Sequence, residues 1–143
     1  MESKRKIAIK VQVNVQAPVE KVWKLWTTPE DIVNWNNASD DWHTISAVND
    51  LHAGGKFDYR MEAKDGSFGF DFRGTYDNII TNNLIEYTLT DGRQVKIEIK
   101  SSGNVTEIVE TFDAENIHPV EIQQTGWQSI LNNFKSYSET TKF

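Results

Sequence analysis

Ile7, Ile9, Val11, Val13 and Val15 alternate with Lys10, Gln12, Asn14 and Gln16, a period of two that predicts a strand with one buried face. The strand stops at Ala17-Pro18, where proline suits a first helical turn, and Val19, Val22, Trp23 and Trp26 then recur at helical spacing. Thr28-Pro29-Glu30-Asp31 places a cap residue, a helix-starting proline and two early acids in order. A second short helix therefore follows, with Ile32 and Trp35 on its apolar side. Trp35 to Asp41 is polar and turn-prone, and a short strand is predicted near Trp42 to Val48.

Two alternating runs, Lys56 to Met61 and Phe68 to Tyr76, flank Asp65-Gly66, a pair that suits a two-residue hairpin turn with positive φ. With that turn central, Met61 faces Phe70, Tyr59 faces Phe72 and Phe57 covers Gly74 on one side, while Arg60 faces Asp71 and Asp58 faces Arg73 on the other. A one-residue slip would destroy both ladders together. Farther on, Ile85, Tyr87 and Leu89 are followed by Asp91-Gly92-Arg93 and by Val95, Ile97 and Ile99. A three-residue loop there pairs Leu89 with Val95, Tyr87 with Ile97 and Ile85 with Ile99. Ser101 to Asn104 then turns the chain into a last strand, about Val105 to Phe112.

From Pro119 the period changes to 3.6, with Trp127, Ile130, Leu131, Phe134 and Tyr137 along one stripe. A helix of about twenty residues is roughly 30 Å long, enough to cross a small sheet. Gly126 within it is expected to permit close approach of another backbone. The order is thus strand, two short helices, a meander of about six antiparallel strands and one long helix. The fold class is α+β, a curved antiparallel sheet of six to seven strands wrapped around a C-terminal helix, because that helix alone carries an apolar stripe to match the aromatic sheet face.

The 143 residues suit one domain, residues 1–143, with the first six expected to be flexible; 38% hydrophobic and 11% aromatic content is ample for a core. A net charge of -6 disfavours nucleic acid and anionic membrane partners. With no cysteine there is no disulfide framework or thiolate nucleophile. The basic start, Met1 to Lys6, leads into a strand pattern and not an apolar signal core, and no run is long enough to span a membrane. These features predict a cytoplasmic protein.

A face that mixes large aromatics with tyrosine hydroxyls suits either a packed core or a pocket with a few oriented polar groups. Tyr59, Tyr76 and Tyr87 are the stronger cavity candidates, beside Met61, Phe70 and Phe72. Trp35 and Trp42 flank the polar loop and are expected either to form a mouth or to pack the loop down. Trp127, Leu131 and Phe134 should bound any cavity from the helix side. For Glu110 two registers stand open. A turn at Ser102-Gly103 sets Ile97 against Ile108 and Val95 against Glu110, aiming the carboxyl inward, where burial would raise its pKa. The other register buries Val105 and Val109 and leaves Glu110 in water. His43, His52 and His118 lack paired ligand spacing, so no metal is expected, and no nucleophile elbow, triad or phosphate loop is present.

Strand-Ala17-Pro18-Val19-Glu20-Lys21-Val22-Trp23, then Asp50-Leu51-His52-Ala53-Gly54-Gly55-Lys56-Phe57, Phe72-Arg73-Gly74-Thr75-Tyr76 and Thr125-Gly126-Trp127 opening a helix resemble the AHSA-type branch of the START-like (SRPBCC) superfamily, from about Ile7 to Tyr137. The resemblance implies a helix-grip fold with a cavity between sheet and long helix that holds apolar ligands, and a role in stress response. It leads to a non-enzymatic binding protein for a hydrophobic or amphipathic small molecule, without cofactor, as a monomer or weak homodimer. Two alternatives accompany it. One is co-chaperone-like interaction with a heat-shock-protein-90 homologue, although only the C-terminal domain of the eukaryotic activators is resembled. The other is a cyclase or hydrolase using inward polar groups such as Glu110, Tyr59 or Tyr87.

Overall fold

A computed structural model describes residues 7–142; the expected flexibility of residues 1–6 falls outside them. Strand β1 (Ala8–Val15) leads into helices α1 (Val19–Thr27) and α2 (Pro29–Trp35). A meander follows, of β2 (Trp42–Asn49), β3 (Lys56–Ala63), β4 (Gly69–Ile80), β5 (Leu84–Leu89), β6 (Gln94–Ser102) and β7 (Val105–Asp113), before the long helix α3 (Val120–Thr140). All seven strands form one antiparallel sheet in the order β1-β7-β6-β5-β4-β3-β2, so the first strand returns to pair with the last. Register shifts between Thr44 and Ser46 in β2, and between Tyr76 and Asn78 in β4, supply the local bends that help such a sheet curl.

The β3–β4 hairpin has the register its alternation predicts, with Tyr59 opposite Phe72, Met61 opposite Phe70, and Phe57 opposite Gly74. Its outer ladder is ionic: Arg73 meets Asp58 at 3.1 Å and Arg60 meets Asp71 at 3.6 Å. The turn is longer than a two-residue one. Ala63 N donates to Phe68 O, leaving Lys64 to Ser67 as a four-residue loop in which Gly66 takes φ +77°.

Two other turns differ from the sequence expectation by a register step of two. At the β5–β6 corner, Gly92 has φ +92° and ends a three-residue loop, so that Leu89 N donates to Arg93 O at 2.8 Å. This sets Tyr87 against Val95 and Ile85 against Ile97, in place of the expected Tyr87–Ile97 and Ile85–Ile99 pairs. The reason is backbone: the loop places its glycine where a left-handed φ is needed. Likewise Gly103, at φ +62°, is the first residue of the β6–β7 turn, which joins Ser102 to Val105 and sets Ile97 against Glu110 and Val95 against Phe112. A shift of two leaves the face of every side chain unchanged. Glu110 therefore points inward, and the register that would leave it in water does not form.

Thr28 stands at the start of α2 as expected, yet its hydroxyl donates to Lys24 O at 2.6 Å and so closes α1. Helix α3 begins at Val120, which puts Thr125-Gly126-Trp127 in its second turn and not at its opening. Its C-terminal half is held firmly. Leu131 and Phe134 are fully buried, Phe134 meets the rings of Trp26 and Trp35 at 4.7 and 4.8 Å, and the Tyr137 hydroxyl donates to Asp31 at 2.6 Å. Along its flank, α3 covers the open edge of β1. Gln124 and Lys135 donate to the carbonyls of Lys10 and Asn14, Gln128 both donates to and accepts from the Gln12 backbone, and Glu139 accepts from Gln16 N. An edge strand's orphan groups are thereby satisfied within the chain.

Gly74 is a point of close approach. A Cβ there would lie 2.9 Å from the Phe57 ring and 2.7 Å from Thr88 O. We expect Gly74→Ala to destabilise the fold by about 1–3 kcal/mol through this overpacking. Urea denaturation should show a lower midpoint for the variant at an unchanged slope.

Candidate ligand cavity

The concave face of the sheet does not close fully onto α3. A cavity of about 680 Å³ lies between them, within the roughly 300–1,000 Å³ range of small-molecule sites. Strands β3, β4 and β5 contribute Phe57, Tyr59, Met61, Phe70, Phe72, Tyr76 and Tyr87; β6 and β7 contribute Ile97 and Glu110; and α3 contributes Ile122, Gln123, Gly126, Trp127 and Ile130. Alternation along the strands puts these side chains on one face, as the sequence pattern requires.

Ten of the twelve candidate residues line this space: Trp35, Trp42, Tyr59, Met61, Phe70, Phe72, Tyr76, Tyr87, Glu110 and Trp127. Leu131 and Phe134 do not. The helix stripe continues past the cavity into the cluster with Trp26 and Trp35, so these two are solid core. The two loop tryptophans part company. Trp35 is buried at the base, its indole N–H donating to Leu25 O at 3.0 Å, whereas Trp42 packs with the exposed rings of Phe68 and Phe70 at the rim. On the helix, Trp127 stacks on Phe112 at 3.8 Å and meets Phe72 edge-on at 6.0 Å. Gly126 faces open space, since nothing lies within 4 Å of a Cβ built there. It makes no close backbone approach, contrary to the sequence expectation.

Polar groups enter this aromatic lining at few points. The Tyr76 hydroxyl donates to Asn49 Oδ1 at 2.6 Å, and Asn49 in turn donates to Thr27 O, tying the cavity wall to the end of α1. The Tyr59 hydroxyl interacts with that of Tyr76. Burial raises the pKa values of Tyr59 and Tyr87 well above the phenol value and that of Tyr76 to about 12, so all three stay neutral donors. Arg93 also lines the space, but its guanidinium is engaged by Asp91 at 2.8 Å. Toward the start of α3, Gln123 bonds Glu115 N, Glu115 O and His118 O and so fastens the 115–118 loop, while His118 sits 3.0 Å from Glu115. The roles of Arg93, Gln123, Glu115 and His118 were not visible in the sequence. Each lies in a turn, loop or helix start whose direction is set by packing, with no periodicity to reveal it.

Glu110 is the exception among the polar groups. It is 5% exposed, faces the cavity, and has no hydrogen bond or ion pair among the described residues. Desolvation raises its pKa from 4.5 to about 8. Because the folded pKa lies above the unfolded one, the fold is favoured while the acid is protonated. That stability is progressively lost as pH rises from about 4.5 through 8. Glu110→Gln should therefore be more stable than the parent protein above pH 8, by an amount on the order of several kcal/mol, and near parity below pH 4.5. Denaturation series across this pH range should show the parent declining more steeply than the variant.

Residues 16–139 match the protein family described as Activator of Hsp90 ATPase homolog 1-like protein. Among solved structures, the AHSA1-like protein from Aeromonas hydrophila is similar at 40% identity, covering 96% of this chain and 99% of that one, with a TM-score of 0.86. A protein from Cytophaga hutchinsonii is 54% identical over 94% of this chain and 92% of its own, with a TM-score of 0.79. A protein from Nitrosomonas europaea, only 18% identical, shares the fold at a TM-score of 0.82. No protein of curated function matches. With its START-like helix-grip architecture, matched across most of its length, the chain belongs to the family of Activator of Hsp90 ATPase homolog 1-like proteins.

Proposed function

We propose that this protein binds a hydrophobic or amphipathic small molecule in the space between the sheet and the N-terminal half of α3. One observation carries the reading: aromatic side chains from three adjacent strands face α3 across a gap of about 680 Å³. An ordinary interior would fill such a gap, since cores pack with few voids larger than a water molecule. The lining has the composition of a ligand site, mostly apolar with a few convergent polar groups. No metal or cofactor enters the reading.

The binding class is tested by titrating the protein with dodecanoic acid, cholesterol and 1-naphthol while following tryptophan emission and the thermal midpoint. Trp35 and Trp127 lie in the wall, so occupancy by any of these should change emission. Gly126→Phe provides the internal control. The new ring would project into the empty space beside Gly126, and phenylalanine is a better helix former than glycine by a few tenths of a kcal/mol. The variant should keep or raise the thermal midpoint and lose binding at least tenfold. Absence of any response in the parent protein, or equal binding by the variant, would count against the cavity.

Acid–base chemistry on the bound molecule is a second reading, favoured by the same inward Glu110. A carboxyl with a pKa of about 8 facing a largely aromatic pocket has the properties of a general acid or base near neutrality. It would require a bound molecule that changes chemically, with turnover abolished and binding retained in Glu110→Gln.

A further inference from the structure

We infer that the cavity selects a ligand built of an apolar, largely aromatic body carrying one basic nitrogen, with Glu110 as its anchor. This rests on the cavity reading above and specifies the chemistry of its occupant.

Strand β7 places Glu110 between Ile97 of β6 and Val11 of β1, so its immediate sheet neighbours are apolar. A carboxyl oxygen in such a position normally accepts from a backbone N–H, an arginine or a hydroxyl. Among the described residues none does so, and the side chain lines the cavity instead. Burying an acid in this way is costly, and a ligand group placed there offsets that cost.

The other groups around the cavity decide the sign of the ligand's charge. Those that titrate or carry charge are Tyr59, Tyr76, Tyr87, Arg93, Glu115 and His118. Arg93 Nε is engaged by Asp91 and His118 lies 3.0 Å from Glu115, so each of these two groups already has an acidic partner within the chain. The tyrosines remain uncharged, and of the two carboxyls in the lining Glu115 faces His118 while Glu110 has no ion pair among the described residues. Around it the surfaces are aromatic. Phe112, two residues along the same strand face, stacks on Trp127, and Tyr87 is close enough for the Glu110 charge to raise its pKa. A carboxylate beside ring faces is the chemistry that holds ammonium groups, through an ion pair and through attraction of the cation to the ring quadrupoles.

Proton uptake and release distinguish this from recognition of a hydroxyl. Below pH 8 Glu110 is mainly protonated in the empty protein. Pairing with an ammonium ion must expel that proton, whereas a hydroxyl can bond to the neutral acid without doing so.

The test uses three molecules with one apolar body: 2-(4-biphenylyl)ethylamine, 2-(4-biphenylyl)ethanol and 4-biphenylacetic acid. Calorimetry at pH 6.5, in buffers of different ionisation enthalpy, should show about one proton released per amine bound and none for the alcohol. At pH 8 the amine should bind at least tenfold more tightly than either analogue. That preference should vanish in Glu110→Gln. Equal binding of amine and alcohol without proton release, or preference for the acid, overturns the amine assignment and leaves the cavity reading standing. Failure of all three to bind overturns the amine assignment, and the cavity reading is then decided by the titrations with dodecanoic acid, cholesterol and 1-naphthol. The proton count is read on the parent protein, so the inference stays open to refutation even if the variant folds poorly.

Discussion

The position of α3 is the constraint on which the rest of the structure depends. Its C-terminal half is fixed by Leu131, Phe134 and Tyr137 against the two short helices, and its flank is hydrogen-bonded along the edge of β1. These contacts hold the helix at one end and one side of the curled sheet. The aromatic strands β3 to β5 then face its N-terminal half across an interval that Trp127 and Phe72 only partly bridge. A helix free to settle would close such an interval, because dry voids forfeit dispersion contacts. Here the bonds to β1 and the ring cluster at Trp26 and Trp35 hold the helix where it stands.

The same arrangement explains why an acid is tolerated in the interior. Glu110 lies on β7, next to the clamped edge strand, and its inward direction follows from the alternation that puts Ile108 and Phe112 on the core side. Reversing it would turn those two buried side chains toward water. The burial of Phe112 and Ile108, worth about 2–3 kcal/mol each, thus holds in place a carboxyl that would otherwise prefer solvent. A buried carboxyl held against its own preference for water is a pattern expected of sites and uncommon in plain cores.

Much of the fold was legible in the sequence because period and turn chemistry agree along it. The ionic and aromatic ladders of β3 and β4 specify a single pairing, and that pairing is observed. Where two pairings shared the same facing pattern, as at Gly92 and Gly103, hydrophobicity did not discriminate between them, and the position of the left-handed glycine decided. The candidate site was legible to the extent that strand alternation governs it, through Tyr59, Phe72, Tyr76 and Tyr87. Family resemblance added the expectation of a cavity, and membership in that family is established by the match over residues 16–139.

By itself the sequence determined the elements, their order and the face that most side chains of β1 and β3 to β6 take, since these depend on local periodicity and on residues one turn away, whereas the face of Glu110 on β7 was decided by the register the structure adopts. Whether facing side chains touch was decided only by the tertiary structure. Leu131 and Trp127 lie on one helical stripe, yet one is sealed in core and the other borders open space. Gly126 has the same local environment in sequence whether it abuts a backbone or a void. The distance between sheet and helix is set by sheet curl, by the edge contacts of β1 and by the anchoring of α3, all of them interactions between residues distant in the chain. The openness of the cavity, and with it the exposure of Glu110 to a guest, is a property of that distance.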